Sequence, residues 1–278
     1  MSGKLYLVGT PIGNLGDISR RCAETLEAVD FIAAEDTRVS RKLLNHLDLH
    51  KSLVSYYEHN KHESGPRIVE RLLAGESCAL VTDAGMPAIS DPGEDLVRLC
   101  AEAGVEVAAV PGPSAAVTAL ALSGLPAARF TFEGFLSTVR KERQAHLASL
   151  REETRTMVFY EAPHKLAQTL GDLCAAFGEE RPAAICREMT KLHEEVLRMT
   201  LGEARARYAA EEPRGEFVLV VAGAPEAEAA DKGKDALARA LELADAGLSA
   251  RDAVRRAAEE FSVSRSALYR AFQQGKAE

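Results

Sequence analysis

The sequence predicts an α/β protein of two α/β domains with a small helix-turn-helix-like region at its C-terminal end, and three observations carry that prediction. Short apolar segments of strand length alternate with segments whose apolar residues recur at helical spacing, the pattern of a largely parallel sheet covered by helices. The pattern turns more strand-rich near residue 118, and 278 residues suffice for about two domains. Glycine and proline cluster where three of the candidate strands end.

The elements follow in order. Strands are expected at Lys4–Val8, Phe31–Ala34, Cys78–Thr82 and Glu106–Val110, each a short run of Val, Leu, Ile or Ala. Between them, Ile18–Ala28, Arg41–Leu47, Pro66–Ala74 and Asp95–Ala103 carry helix-spaced apolar residues. A small-residue helix is expected over Ala115–Leu122. It lies in the uncharged stretch Val107–Ala128, which is long enough to span a bilayer but is broken by Pro111-Gly112-Pro113, so a buried helix is expected and no membrane anchor. Further strands are expected at Phe130–Phe132, Thr156–Tyr160, Ala183–Glu188, Glu194–Thr200 and Glu216–Ala222. The domains are therefore drawn at 1–118 and 119–223. Residues 224–235, polar and rich in Ala, Glu and Lys, read as a solvated linker to a region at 236–278. There, helices over Asp235–Ala246, from a Ser249 cap to Phe261, and over Arg265–Gln273 are separated by Ser262-Val263-Ser264, a helix-turn-helix spacing.

Composition narrows the function classes. Lys and Arg number 34 against 42 Asp and Glu, a net charge of -8, which excludes a surface coated in basic residues for nonspecific nucleic-acid binding. The five cysteines are odd in number and scattered without a C-x-x-C pair, so buried thiols in a reducing cytoplasm are expected. The first expected strand follows Gly3 directly and leaves no room for a signal peptide. The histidine spacings, His46 with His50 and His59 with His62, match no familiar metal pattern, and no metal is expected.

The chemistry is expected at the strand ends. Gly9-Thr10-Pro11-Ile12-Gly13-Asn14, Asp83-Ala84-Gly85-Met86-Pro87 with Ser90-Asp91-Pro92-Gly93, and Pro111-Gly112-Pro113-Ser114 each follow a strand. In an open α/β sheet, ligands bind outside the carboxyl ends of the strands, so three rigid Gly/Pro loops there suit recognition by main-chain groups. Neither G-x-G-x-x-G after the first strand nor a P-loop is present, so spacing alone does not name the ligand.

As full strings, these loops together with Ala34-Glu35-Asp36-Thr37-Arg38 resemble the tetrapyrrole-methylase-like superfamily of S-adenosylmethionine enzymes. Tyr160-Glu161-Ala162-Pro163-His164-Lys165, Arg187-Glu188-Met189-Thr190-Lys191-Leu192-His193-Glu194-Glu195 and Gly215-Glu216-Phe217-Val218 resemble its ribosomal branch. The resemblance runs over essentially the whole chain. It implies S-adenosylmethionine in the cleft between the two α/β domains, a homodimer, and 2′-O-methylation of a cytidine in 16S rRNA, on the free RNA or on the small ribosomal subunit. Mapped residue by residue, it nominates Pro11, Asp83, Ala84, Gly85, Ile89, Ser90, Ser114 and Ala115 of the first domain and Tyr160, Phe217 and Val218 of the second as cofactor contacts.

A 2′-hydroxyl must shed its proton on methylation, and Asp36, Asp83, Glu133, Glu161, Glu188 and Lys191 are the groups expected to face the cleft; none stands out as the base, Asp36, Glu188 and Lys191 are put forward as catalytic, and for each of these three a structural ion pair is the competing reading. For RNA, Thr37–Arg71 holds seven Lys or Arg, among them Arg38, Arg41, Lys42 and Lys61, against four acids, with Tyr56-Tyr57 between them. That composition suits phosphate contact and stacking, and equally a solvated face. Arg140 and Lys141, expected on a flexible loop, are a second group. In the C-terminal region Arg265 and Arg270, with Ser266 and Tyr269, would face nucleic acid if the helix pair binds it, and solvent if the pair is a packing module. Two other functions stay open on the residues alone: a tetrapyrrole C-methyltransferase and a ligand-sensing DNA-binding regulator.

Overall fold

In the computed structural model, residues 3–210 and 213–275 are described, and they form two compact units. The first comprises the described residues up to Thr118 together with Glu188–Glu194; the second comprises Ala119–Arg187 and the described residues from Glu195 onward.

The first unit is built on five strands, β1 (Lys4–Val8), β2 (Phe31–Ala34), β3 (Ser52–Ser55), β4 (Cys78–Val81) and β5 (Glu106–Val110), in the order β3-β2-β4-β1-β5. Every pair is parallel. Side chains alternate across a strand, so Phe31 and Ala33 face one layer and Ile32 and Ala34 the other. The first layer packs on Ile68 and Leu72 of α3 (Lys61–Leu73) and on Leu96 and Cys100 of α4 (Gly93–Glu102). The second packs on Cys22 and Leu26 of α1 (Arg20–Ala28) and on Leu44 of α2 (Thr37–His46). Burial on both faces is why β2 and β4 read as unbroken apolar runs. A parallel sheet also brings every strand's carboxyl end to one edge, and all three Gly/Pro loops leave from that edge.

Helix α5 (Ala115–Ser123) leads into the second unit. Its sheet runs β6 (Phe130–Phe135), β7 (Thr156–Glu161), β10 (Phe217–Val221), β8 (Pro182–Arg187), β9 (Glu195–Thr200). Only β6 and β7 pair in parallel, and the other three pairs are antiparallel, so the largely parallel expectation fails here. Met157 and Phe159 of β7, Ile185 of β8 and Leu219 of β10 pack against Leu147 of α6 (Arg140–Ser149), Leu170 and Leu173 of α7 (Leu166–Phe177) and Ala204 of α8 (Leu201–Ala210).

Beyond β10, α9 (Glu226–Asp245), α10 (Ala250–Phe261) and α11 (Arg265–Gly275) share a small core of Ala236, Ala240, Val254, Ala257, Leu268 and Phe272. Ser249 caps α10 by accepting from the Asp252 N–H at 3.2 Å, and Ser262 ends it in the left-handed conformation with φ of 57°. The segment expected as a linker is instead largely the first half of α9. Ala, Glu and Lys are strong helix formers, so a segment rich in them need not be irregular for lack of bulky side chains. All five cysteines are buried and free, as expected. Among the described residues no helix is long and apolar enough to cross a membrane.

Candidate functional site

Three strand-end loops of the first unit are fastened to one another through their backbones. Thr10 and Gly85 exchange N–H to C=O bonds of 3.0 and 3.1 Å, a single antiparallel bridge between the loops after β1 and β4. The Gly9 N–H donates to Val110 at 3.1 Å, and the Gly112 N–H to the Met86 sulfur at 3.2 Å, which joins the β5 loop to the other two. Gly85, at φ of 88°, occupies the region that favours glycine, and a Cβ there would also press on the Pro113 carbonyl at 3.3 Å. These bonds bring the Pro11, Gly85 and Ser114 loops, named from the sequence, to one place.

The β4 loop is held from inside by Asp91. Its carboxylate accepts from the Ala88, Ile89 and Gly93 N–H groups at 3.0, 3.2 and 2.7 Å. This cage supports Ala88 and Ser90 at φ of 67° and 64°, a conformation costing a non-glycine residue about 1–2 kcal/mol. Ile89 is left 53% exposed at the loop's tip. Below it, the buried Tyr56 hydroxyl donates to the Pro92 carbonyl at 3.0 Å, and burial lifts that hydroxyl's pKa to about 12. Sequence reasoning gave Asp91 no part; its short Asp-Pro-Gly setting was the available signal.

Acidic groups gather beside these loops. Asp83 at the end of β4 accepts from the Asp36 N–H at 3.1 Å, and the Thr82 hydroxyl donates to Glu35 at 2.6 Å. Burial, and then the neighbouring Glu35, push the Asp83 carboxyl above its ordinary pKa. Asp36 is different. It caps α2 by accepting from the Arg38 N–H at 2.8 Å and grips the Arg38 guanidinium at 2.6 Å, which holds its pKa down to about 2. A carboxylate so committed is a weak proton acceptor at neutral pH, and the geometry is that of the competing ion pair.

The loop Glu188–Glu194, drawn by the sequence reading into the second domain, packs with the first unit. Glu188 and Thr190 again have positive φ, 51° and 65°. Lys191 donates to Glu188 at 2.9 Å, and its side chain lies so near Gly13 that a Cβ there would collide with Lys191 Cγ. Of the six non-glycine residues with positive φ among the described residues, four lie in this loop and the Ala88–Ser90 loop. Strain of this kind gathers at functional sites.

In the second unit, Tyr160 and Val218 are register partners on β7 and β10, and the rings of Phe132 and Phe135 lie 5.0 and 5.5 Å from the Tyr160 ring. The Phe217 side chain points the other way, into the core against Tyr208 at 5.7 Å, so only its backbone is open to a ligand. Alternation along β10 dictates this. Glu161 is buried and accepts from the Ala162 N–H at 2.8 Å.

The basic candidates divide. Arg38, Arg41 and Lys42 are exposed along α2, Arg38 being paired with Asp36. Lys61 is 17% exposed and bound to Glu58 at 2.7 Å and Asp95 at 2.8 Å, so its charge is already satisfied and it drops out as an RNA contact. Arg140 and Lys141 are exposed in the first turn of α6, where a flexible loop was expected. The helix was concealed because Arg143 takes an inward position, buried against Asp172 at 2.7 Å, where an apolar residue would have shown the period. Arg265 and Arg270 are exposed on α11.

Comparison with known proteins places these features. Residues 4–205 match the family model of tetrapyrrole (corrin/porphyrin) methylases. The chain is 48% identical over 268 residues to the ribosomal RNA small subunit methyltransferase I of Synechocystis, covering 96% of each chain. It is 44% identical over 270 residues to the protein of the same name from Escherichia coli O157:H7, covering 96% of this chain and 94% of that one. Among solved structures, uroporphyrin-III C-methyltransferase from Thermus thermophilus complexed with S-adenosyl homocysteine aligns with a TM-score of 0.55 and 18% identity, over 78% of this chain and 97% of that one, a likeness of fold.

Proposed function

This chain belongs to the tetrapyrrole methylase family, and on that premise we propose that it is an S-adenosylmethionine-dependent methyltransferase of ribosomal RNA, acting on the 2′-hydroxyl of a cytidine in the small-subunit 16S rRNA. The observation that carries the reading is the meeting of three glycine loops at the carboxyl edge of the first sheet, in a chain close along nearly its whole length to rRNA methyltransferases. The likeness to tetrapyrrole methyltransferases is one of fold, and nothing in the site favours that substrate.

The residues suit the cofactor. S-adenosylmethionine carries an ammonium, a sulfonium and a carboxylate. Asp83, raised in pKa by burial and by Glu35, gains most from a cation beside it. The first turn of α5, which begins at Ala115 directly after Ser114, is a helix N-terminus, whose N–H groups and dipole suit a carboxylate. Gly85 and Ala84 offer backbone without bulk, Pro11 stiffens the first loop, and Ile89 and Ser90 form the exposed tip of the second. Tyr160, Phe217 and Val218 are put forward as cofactor contacts on the family resemblance alone. When bound, the cofactor supplies a methyl group already activated on sulfur.

What remains for the chain is to orient the acceptor ribose and take its proton. Reacting atoms held about 3–3.5 Å apart gain most of the rate from positioning. Glu188 and Lys191, on a strained loop against Gly13, are the pair we assign to the 2′-hydroxyl, and a base in reach contributes roughly 100-fold or more. Asp36 we assign to holding α2. Arg38, Arg41, Lys42, Arg140 and Lys141 are left to contact RNA phosphates, and the active form is taken as a cytoplasmic homodimer.

The test is incubation with tritiated S-adenosylmethionine and small ribosomal subunits from a strain lacking this protein. Label in 16S rRNA that alkaline hydrolysis leaves in a dinucleotide resistant at a cytidine supports the reading. Absence of label from rRNA, or label in a precorrin instead, rejects it.

A further inference from the structure

One concave surface lies wholly within the second unit. It is a groove of about 1210 Å³ between the end of α6 and the α10–α11 pair. Four arginines line it, Arg151, Arg251, Arg265 and Arg270, against two acids, Glu152 and Glu259, in a protein whose net charge is -8. No lysine lines it, and arginine is the residue whose planar fork grips phosphate oxygens two at a time. Arg251, Arg265 and Arg270 form no ion pair within 4 Å among the described residues, so their charge is available.

The groove is braced. Arg151 donates to the Ser262 hydroxyl at 3.1 Å, and the Glu152 carboxylate accepts from the Ser264 N–H at 3.0 Å. These two bonds fasten the turn between α10 and α11 to the loop that leads into β7. The start of α11 opens into the groove, adding the partial positive charge of a helix N-terminus. Tyr269, 38% exposed, presents a ring on the same wall.

We propose that this groove binds a single-stranded stretch of RNA, its phosphates on Arg151, Arg251, Arg265 and Arg270 and a base stacked on Tyr269. The inference rests on the rRNA reading above and adds to it a second contact outside the methyl-transfer site. Size supports it: small-molecule clefts span about 300–1000 Å³, and this one is larger. The placement also argues against duplex reading, in which the start of the second helix of such a pair projects freely into a DNA groove. Here that helix start is tied by Ser264 to Glu152 and forms one wall of a trough. Arginine fork plus exposed aromatic is the pairing that single-strand binders use.

The experiment uses the full chain and two readouts. Fluorescence anisotropy with a labelled oligocytidine 12-mer gives affinity against salt, and methyl transfer to small subunits gives kcat and KM. The double variant Arg265→Ala/Arg270→Ala should bind the 12-mer at least tenfold more weakly and lower the salt slope by about 1.4, roughly 0.7 per phosphate lost. Tyr269→Ala should weaken binding about fivefold or more with the slope unchanged. Both should raise KM for subunits while kcat and S-adenosylmethionine affinity stay as in the parent, which also shows that the variants fold. Unchanged oligonucleotide affinity and KM in both variants overturns the groove assignment while leaving the methyltransferase reading standing. Tighter binding of a duplex DNA of equal length than of the 12-mer overturns it as well. If the parent protein labels no rRNA at all, it is the function that fails.

Discussion

Gly9 and Gly112 come so close that a Cβ on Gly9 would stand 2.6 Å from the Gly112 Cα, and one on Gly112 would stand 2.8 Å from the Gly9 Cα. The opposing atoms are backbone, so neither loop can yield without moving the other. Gly9→Ala and Gly112→Ala should each separate the loops after β1 and β5, lowering S-adenosylmethionine affinity at least tenfold by titration calorimetry. Wild-type affinity in either variant would show that the close approach is incidental to the site.

Asp91 should matter nearly as much, although it need touch no ligand. Removing a carboxylate that accepts three N–H groups leaves those donors unpaired, and Asp91→Ala should cost about 2–4 kcal/mol in urea unfolding. Since the freed Ala88–Ser90 segment would relax from its left-handed conformation, cofactor affinity should fall with it.

Asp83 and Asp36 respond oppositely to pH. The Asp83 pKa is raised in the folded protein, so ionising it opposes folding, and that penalty grows as pH rises through its folded value. Asp83→Asn should therefore raise the urea midpoint at pH 7 while weakening S-adenosylmethionine binding roughly 10- to 100-fold, the worth of a charge-assisted contact. The Asp36 pKa is depressed to about 2, so its contribution is present above the ordinary carboxylate value and is lost as pH falls toward 2. Acid unfolding of Asp36→Asn compared with the parent checks the sign: the two should converge only at the acid end.

Lys61 and Lys42 sit on the same basic stretch and should behave differently. Lys61→Met removes the partner of two carboxylates and should lower stability while leaving RNA affinity within about twofold. Lys42→Ala, at an exposed position on α2, should leave stability within about 0.5 kcal/mol and weaken RNA binding. Equal losses of RNA affinity would return Lys61 to the interface.

Glu188→Gln and Lys191→Met should lower kcat about 100-fold with S-adenosylmethionine affinity changed less than threefold. Loss of binding in parallel with kcat would make the pair a support of the Pro11–Gly13 loop.

Much of this was legible in the chain. The strands β1, β2 and β5 stand where apolar runs placed them, because a sheet buried on both faces needs such runs and little else supplies them. The loops were legible as well, since glycine and proline are constrained by backbone geometry that survives in a bare string. What escaped were elements whose signal is tertiary. The edge strand β3, Ser52–Ser55, is short and half polar, and α6 hides its period behind the buried pair of Arg143 with Asp172. The return of Glu188–Glu194 to the first unit was beyond any local reading, because nothing in seven residues records which sheet they will lie against.

That returning loop also bears on how the protein is made. The first sheet is complete in sequence by Val110, yet the Glu188–Lys191 pair that packs beside Gly13 leaves the ribosome some 70 residues after Thr118. At about 5–20 residues per second, the nascent first unit waits roughly 4 to 14 s for its last piece. A chain halted in that interval carries all five strands of the first sheet and lacks the pair proposed to act on the 2′-hydroxyl, so a stalled fragment should be unable to modify RNA.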